Sequence, residues 1–153
     1  MTTIKKLGIF LKLDNNTKLL MLESFISLGC SRVIKAMPFK KVINRLGMYE
    51  EETSFTDNDL DKKIIKSVSQ AIDIMSRYTY WESKCLVKAI AAMKMLERRD
   101  IESTLYLGIA KDESGKLIAH AWLRSGSYYI SGSEGMERFT VVGIFAKKIS
   151  SSY

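Results

Sequence analysis

The hydrophobic period of this chain changes at one point, Asp100. Before it, apolar residues recur three and four apart, and after it they alternate with polar ones. These are the periods of an α-helix and of a half-buried β-strand, so the chain divides into a helical half and a sheet half. On the helical side, Asn15, Asn16 and Thr17 are capping residues, and Leu19, Leu22, Phe25, Ile26, Gly29, Val33 and Met37 follow at helical spacing. Pro38 separates this helix from a short one carrying Phe39, Val42, Ile43 and Leu46, which Gly47 stops. Met48 to Phe55 reads as a loop. A third helix follows from a Thr56 cap to about Arg77, with Leu60, Ile64, Val68, Ile72 and Met75 as its apolar face. Its first turn holds Asp57, Asp59 and Asp61, where the helix dipole favours carboxylates. A fourth, alanine-rich helix spans about Ser83 to Arg99.

Beyond Asp100, Leu105, Leu107 and Ile109 alternate, as do Ile118, His120 and Trp122. Tyr128 to Ile130 and Phe139 to Ala146 complete four strands, with Gly-bearing turns at 112–116 and 124–127. Helices first and an antiparallel sheet after predict an α+β fold in a single domain over 1–153. Within it, 1–55 forms a basic helical segment and 56–153 the core. Of the net charge of +7, residues 1–50 supply nine basic and three acidic side chains, whereas 51–100 are neutral. A basic segment attracts anionic ligands or acidic peptides, and salt weakens that attraction.

Several function classes drop out early. The longest apolar runs, such as Leu19 to Leu22, are far shorter than the ~20 residues of a membrane span. Met1 to Leu13 lacks the pattern of a signal peptide, and a cytoplasmic setting is expected. Two cysteines and one histidine are too few for a structural zinc site or a disulfide framework. Neither GxxxxGK[ST] nor GxGxxG occurs, so no nucleotide cofactor is expected. A single aromatic, Phe39, falls within the basic cluster of Lys35, Lys40, Lys41 and Arg45, which is too little stacking surface to argue for nucleic acid.

One pair of residues carries chemistry. Cys85 falls in the first turn of the alanine-rich helix, where unpaired N–H groups and the helix dipole favour a thiolate. His120, the only histidine, lies mid-strand with Trp122 on its face. Alone, a helical cysteine is usually a small buried hydrophobe and a strand histidine a core residue. Together, a cysteine at a helix start followed by a histidine on a strand is the order of a cysteine nucleophile and its acid–base partner. Cys30, among apolar helical residues, reads as structural, and Arg98–Arg99 as a helix end satisfying its own carbonyls.

These residues belong to a longer ordered set: Trp81, Cys85, Leu86, Ala89 to Ala92, Leu96, Arg98–Arg99, Ile101, Thr104–Leu105, Leu107–Gly108, and Ala119-His120-Ala121-Trp122. The set, closing on Arg138 to Val142, resembles the transglutaminase-like leader peptidases of lasso-peptide biosynthesis over residues 78–147. The resemblance implies a transglutaminase-like (papain-like) cysteine protease core, with Cys85 as nucleophile and His120 as general base. It implies a precursor peptide as substrate, a leader-binding partner protein that delivers it, and an ATP-dependent macrocyclase acting afterwards.

The third catalytic member departs from that pattern. The family places an Asp on the strand after the histidine strand, where this chain has Ser131 and Gly132, and no Asp follows Asp112. Ser131 through its hydroxyl, or Glu134 from the following loop, are the candidates to orient the imidazole. For the oxyanion, the Cys85 N–H is the natural donor, and Trp81 either adds its indole N–H, walls the cleft or packs in the core. Two rival readings stand beside the peptidase: an acyltransferase using the same cysteine, and a non-catalytic basic module that binds a peptide or partner.

Overall fold

The computed structural model describes residues 3–150, with side chains from Gly8 onward. The two ends of the expected 1–153 domain, including Met1 and Thr2, lie outside the described residues. Helices α1 (Thr3–Lys12), α2 (Asn15–Ala36) and α3 (Phe39–Leu46) come first, followed by the two-residue strand β1 (Met48–Tyr49). Helices α4 (Asp59–Ser76) and α5 (Cys85–Glu97) precede β2 (Ser103–Lys111), β3 (Leu117–Ser125), β4 (Tyr128–Ser131) and β5 (Thr140–Lys147). The five strands form one antiparallel sheet in the order β1-β5-β2-β3-β4. The α+β arrangement is therefore the one that the change of period at Asp100 predicts.

Local chemistry sets the ends of these elements. Asp14 caps α2 by accepting from the Thr17 N–H at 3.0 Å, and that bond with the Thr17 hydroxyl holds its carboxyl below the usual range. Asn58, rather than Thr56, caps α4 through the Leu60 N–H at 3.1 Å. In the β2–β3 turn, Asp112 Oδ1 accepts from the Ser114 and Lys116 N–H groups, each at 2.9 Å. The segment read as a loop after Gly47 contains β1, which pairs Met48 with Ala146 and Tyr49 with Phe145. Two residues carry no periodicity, so only the pairing reveals this strand. Helix α1 was likewise not predicted from the sequence.

Helix α5 lies at the centre of the core. Val87, Ala89, Ile90, Ala91, Ala92, Met93, Met95 and Leu96 are all buried, between α2 and α4 on one side and β2 and β3 on the other. Burial on nearly every side makes α5 read as apolar all round. Leu28, Ile34, Val42 and Leu46 from α2 and α3 join the same core as Leu105, Leu123 and Phe145 of the sheet. The basic N-terminal segment thus packs into the core.

The helix faces differ from those the apolar spacing predicts. In α2, Leu19, Leu22, Ile26 and Val33 are exposed, whereas Ser24, Ser27, Leu28, Ser31 and Ile34 are buried. Helix α2 packs on α5 and α4, with the Ser24 hydroxyl 3.4 Å from the Ala71 carbonyl of α4, and these neighbours decide the buried side. In α4 the buried residues are Ile65, Val68, Ala71 and Ile72, with Leu60 83% exposed. Cys30 is exposed on α2, not enclosed in the core.

Candidate active site

Cys85 is the first residue of α5, and its N-cap, Lys84, makes no side-chain capping bond. The N–H groups of the first turn therefore have no side-chain cap. Two further elements complete the surroundings. Helix α4 supplies Ser69 and Asp73, the end of β4 supplies Ser131, and the segment after it supplies Gly132, Ser133 and Glu134. Cys85, His120, Ser131 and Glu134, far apart in sequence, line one cleft of about 500 Å3.

His120 stands on β3 opposite Gly108 of β2. Its ring lies 4.9 Å from the Phe139 ring and 5.8 Å from Trp122, tilted against each. The glycine at 108 makes this possible, because a Cβ there would meet Phe139 at 2.8 Å and the Trp122 ring at 2.9 Å. At the ring edge, Nε2 lies 2.7 Å from the carbonyl oxygen of Gly132. The Ser131 hydroxyl is buried with no hydrogen-bond partner, and Glu134 is exposed at the cleft. Of the two candidates for orienting the imidazole, Ser131 therefore does not hold it here. The contact comes from a main-chain atom, which a search among side chains overlooks.

Trp81 is not among the residues lining the cleft. Its indole packs on α2, 5.1 Å from the Phe25 ring, and fills the notch that Gly29 leaves. Its Nε1–H is buried without a partner. The expectation of an oxyanion donor or cleft wall at Trp81 gives way to a packing role, because Gly29 provides space for the ring on that side.

Charged residues of both signs surround the thiol. Lys88 follows Cys85 by three residues, hence on the same helix face, and its Nζ lies 3.9 Å from Asp73. Lys84 pairs with Glu82 at 2.6 Å, and that bond raises the pKa of the ammonium and lowers that of the carboxyl. The helical spacing made Lys88 legible in the sequence, whereas Asp73 needed the packing of α4 on α5. Arg98 and Arg99 both pair with Glu23 of α2, and Arg99 also donates to the Met95 carbonyl at 2.8 Å, a helix-end contact of the kind expected. Among the described residues, no group of three His, Cys, Asp or Glu is placed to hold a metal ion, and no helix is long and apolar enough to cross a membrane.

Cys85 at a helix start and His120 on a strand thus share one cleft in a helices-then-antiparallel-sheet fold. Residues 33–143 match the family model of the transglutaminase-like superfamily, and the chain belongs to that superfamily. The match begins within α2, so the helix that carries the exposed apolar stripe is partly inside the family domain. No match was found among curated proteins or among solved structures.

Proposed function

We propose that this protein is a cysteine peptidase that removes the leader segment from a ribosomally made lasso-peptide precursor. The observation that carries the reading is the shared cleft of Cys85 and His120, with the imidazole held at its Nε2 edge. The ordered residue pattern from Trp81 to Trp122 supports the finer assignment to leader removal. A leader-binding partner would deliver the precursor, and an ATP-dependent macrocyclase would act on the released core. A cytoplasmic setting accords with that pathway.

In the reaction, the Cys85 thiol passes its proton to His120, Sγ attacks the scissile carbonyl carbon, and the oxygen becomes an oxyanion. N–H groups at the uncapped start of α5, that of Cys85 first, are the donors for this charge. The C–N bond then breaks as His120 gives its proton to the departing amine, leaving a thioester on Cys85. Water loses a proton to the same imidazole, attacks the thioester, and frees the carboxylate and the thiol.

Incubating precursor and leader-binding protein with Cys85→Ala tests the mechanism. Cleavage is expected to vanish, and His120→Ala should lower kcat/KM by about 10²–10⁴-fold. Persistent cleavage by Cys85→Ala would exclude Cys85 as nucleophile. Membership of the transglutaminase-like superfamily favours one second reading, transfer of the acyl group to an amine. Mass spectrometry of the product separates them, because a hydrolysed peptide gains water and a transferred one gains the amine.

A further inference from the structure

We infer that the main-chain carbonyl of Gly132 is the positioning group for His120, in the place where the family pattern has an acidic side chain. The inference rests on the reading of His120 as proton carrier. Three features of the structure carry it. A carbonyl oxygen only accepts, so the 2.7 Å contact calls for a proton on Nε2, which in the neutral imidazole is the Nε2–H tautomer. Nδ1 then holds the lone pair, free to take a proton from a thiol or water.

The second feature is steric. Gly132 has φ +73°, and a Cβ there would collide with the Ala121 carbonyl oxygen and stand 3.0 Å from the Trp122 Cα. An aspartate at this position would have to move β3 or the chain leaving β4. Strand pairing shifts register just before it, between Leu123 and Arg124, so that Leu123 faces Ser131 while Arg124 faces Tyr129. This irregularity and the left-handed glycine together turn the main chain at the His120 edge.

The third feature is the state of the neighbouring side chain. The Ser131 hydroxyl is buried and unpartnered, so it does not compete for the ring. With Phe139 and Trp122 against its faces and the Gly132 oxygen at its edge, the imidazole is constrained in both tautomer and orientation. A neutral carbonyl stabilises the imidazolium formed during catalysis less than a carboxylate does, so the arrangement secures geometry at the expense of electrostatic help.

Because the chain has one histidine, long-range proton–nitrogen NMR of the 15N-labelled full chain reports this ring without overlap. At about pH 8, where an ordinary imidazole is neutral, the expected spectrum is that of the Nε2–H tautomer. Ser131→Ala and Glu134→Gln should each keep it. Gly132→Ala, which must displace the carbonyl, should give a mixed tautomer signal and lower kcat/KM about tenfold or more. A wild-type Nδ1–H tautomer would overturn the inference, as would a tautomer lost in Ser131→Ala or Glu134→Gln but kept in Gly132→Ala. Should Gly132→Ala not fold, the wild-type spectrum and the other two variants still decide. The spectrum needs no substrate. An Nε2–H tautomer beside continued cleavage by Cys85→Ala would therefore exclude the cysteine mechanism and leave the positioning by Gly132 standing.

Discussion

Arg124 Nε donates to the Tyr106 hydroxyl across 3.0 Å, joining β3 to β2 through two side chains. The guanidinium is 1% exposed, and its remaining donors reach the carbonyls of Thr53 at 2.9 Å, Ser54 at 3.1 Å and Gly126 at 2.6 Å. The Phe55 ring lies 3.6 Å over it. A buried cation thus ties the segment entering α4 to the sheet, and α4 in turn supplies Asp73 and Ser69 to the cleft. Arg124→Met would leave those three carbonyls unpaired. Only the Thr53 contact is fully buried, and a buried, unsatisfied group costs about 1–3 kcal/mol, so a loss of that order in stability is expected in urea unfolding. An unchanged midpoint would mean that water replaces the guanidinium at no cost.

The pairing of Glu23 with Arg99 and Arg98 predicts a pH dependence on the acid side. The hydrogen bond from Arg99, opposed by partial burial, holds the Glu23 carboxyl below its ordinary value of 4.5. The unfolded chain therefore takes up this proton at a higher pH than the folded one. The contribution is present above about 4.5 and is lost as pH falls through the lower, folded value. Because the pair is partly solvated, its worth at neutral pH is at most about 1 kcal/mol. Glu23→Gln should flatten the acid limb of a stability–pH curve measured by denaturant. A curve parallel to that of the wild type would show that the pair does not respond in this range.

The exposure of Cys30 shapes the thiol experiment. Both cysteines are free, Cys30 exposed and Cys85 partly buried at the cleft. In a Cys30→Ser background, iodoacetamide should label Cys85 alone near neutral pH and abolish cleavage. A Cys85 that resists labelling in the folded protein would favour the non-catalytic module.

Charge reversal separates docking from chemistry. Lys40 and Lys41 are exposed on α3, beside Lys35 at the end of α2, and none of the three lines the cleft. Replacing all three with Glu should weaken association with the proposed leader-binding partner by about tenfold or more at low salt, and by less at high salt. Labelling of Cys85 should be unaffected. Loss of labelling would show that the basic segment and the reactive centre are not independent.

Much of this molecule could be read from its residues alone. The change of period at Asp100, the Gly-bearing turns and the Pro38–Gly47 bracket around α3 located most elements, because each is a local property of the chain. The order of Cys85 before His120 survived for the same reason: a helix start and a strand middle are legible in a short window. The buried faces of α2 and α4 were not. Spacing identifies a helix, but which side faces inward depends on its neighbours, here α4 and α5 for helix α2. Strand β1 escaped because two residues have no period, and its evidence is the pairing with β5.

The sequence by itself therefore determined the α+β order, the absence of any aspartate after Asp112, and the order of Cys85 at a helix start before His120 on a strand. Tertiary structure alone decided where Trp81 packs, that Asp73 of α4 shares the cleft of Cys85, and what touches His120. The physical reason is that the contact on His120 is made by a main-chain oxygen. Every residue has such an atom, so no residue type announces it. Its direction is set by a left-handed glycine and the irregular pairing of β3 with β4, which exist only once the sheet has formed.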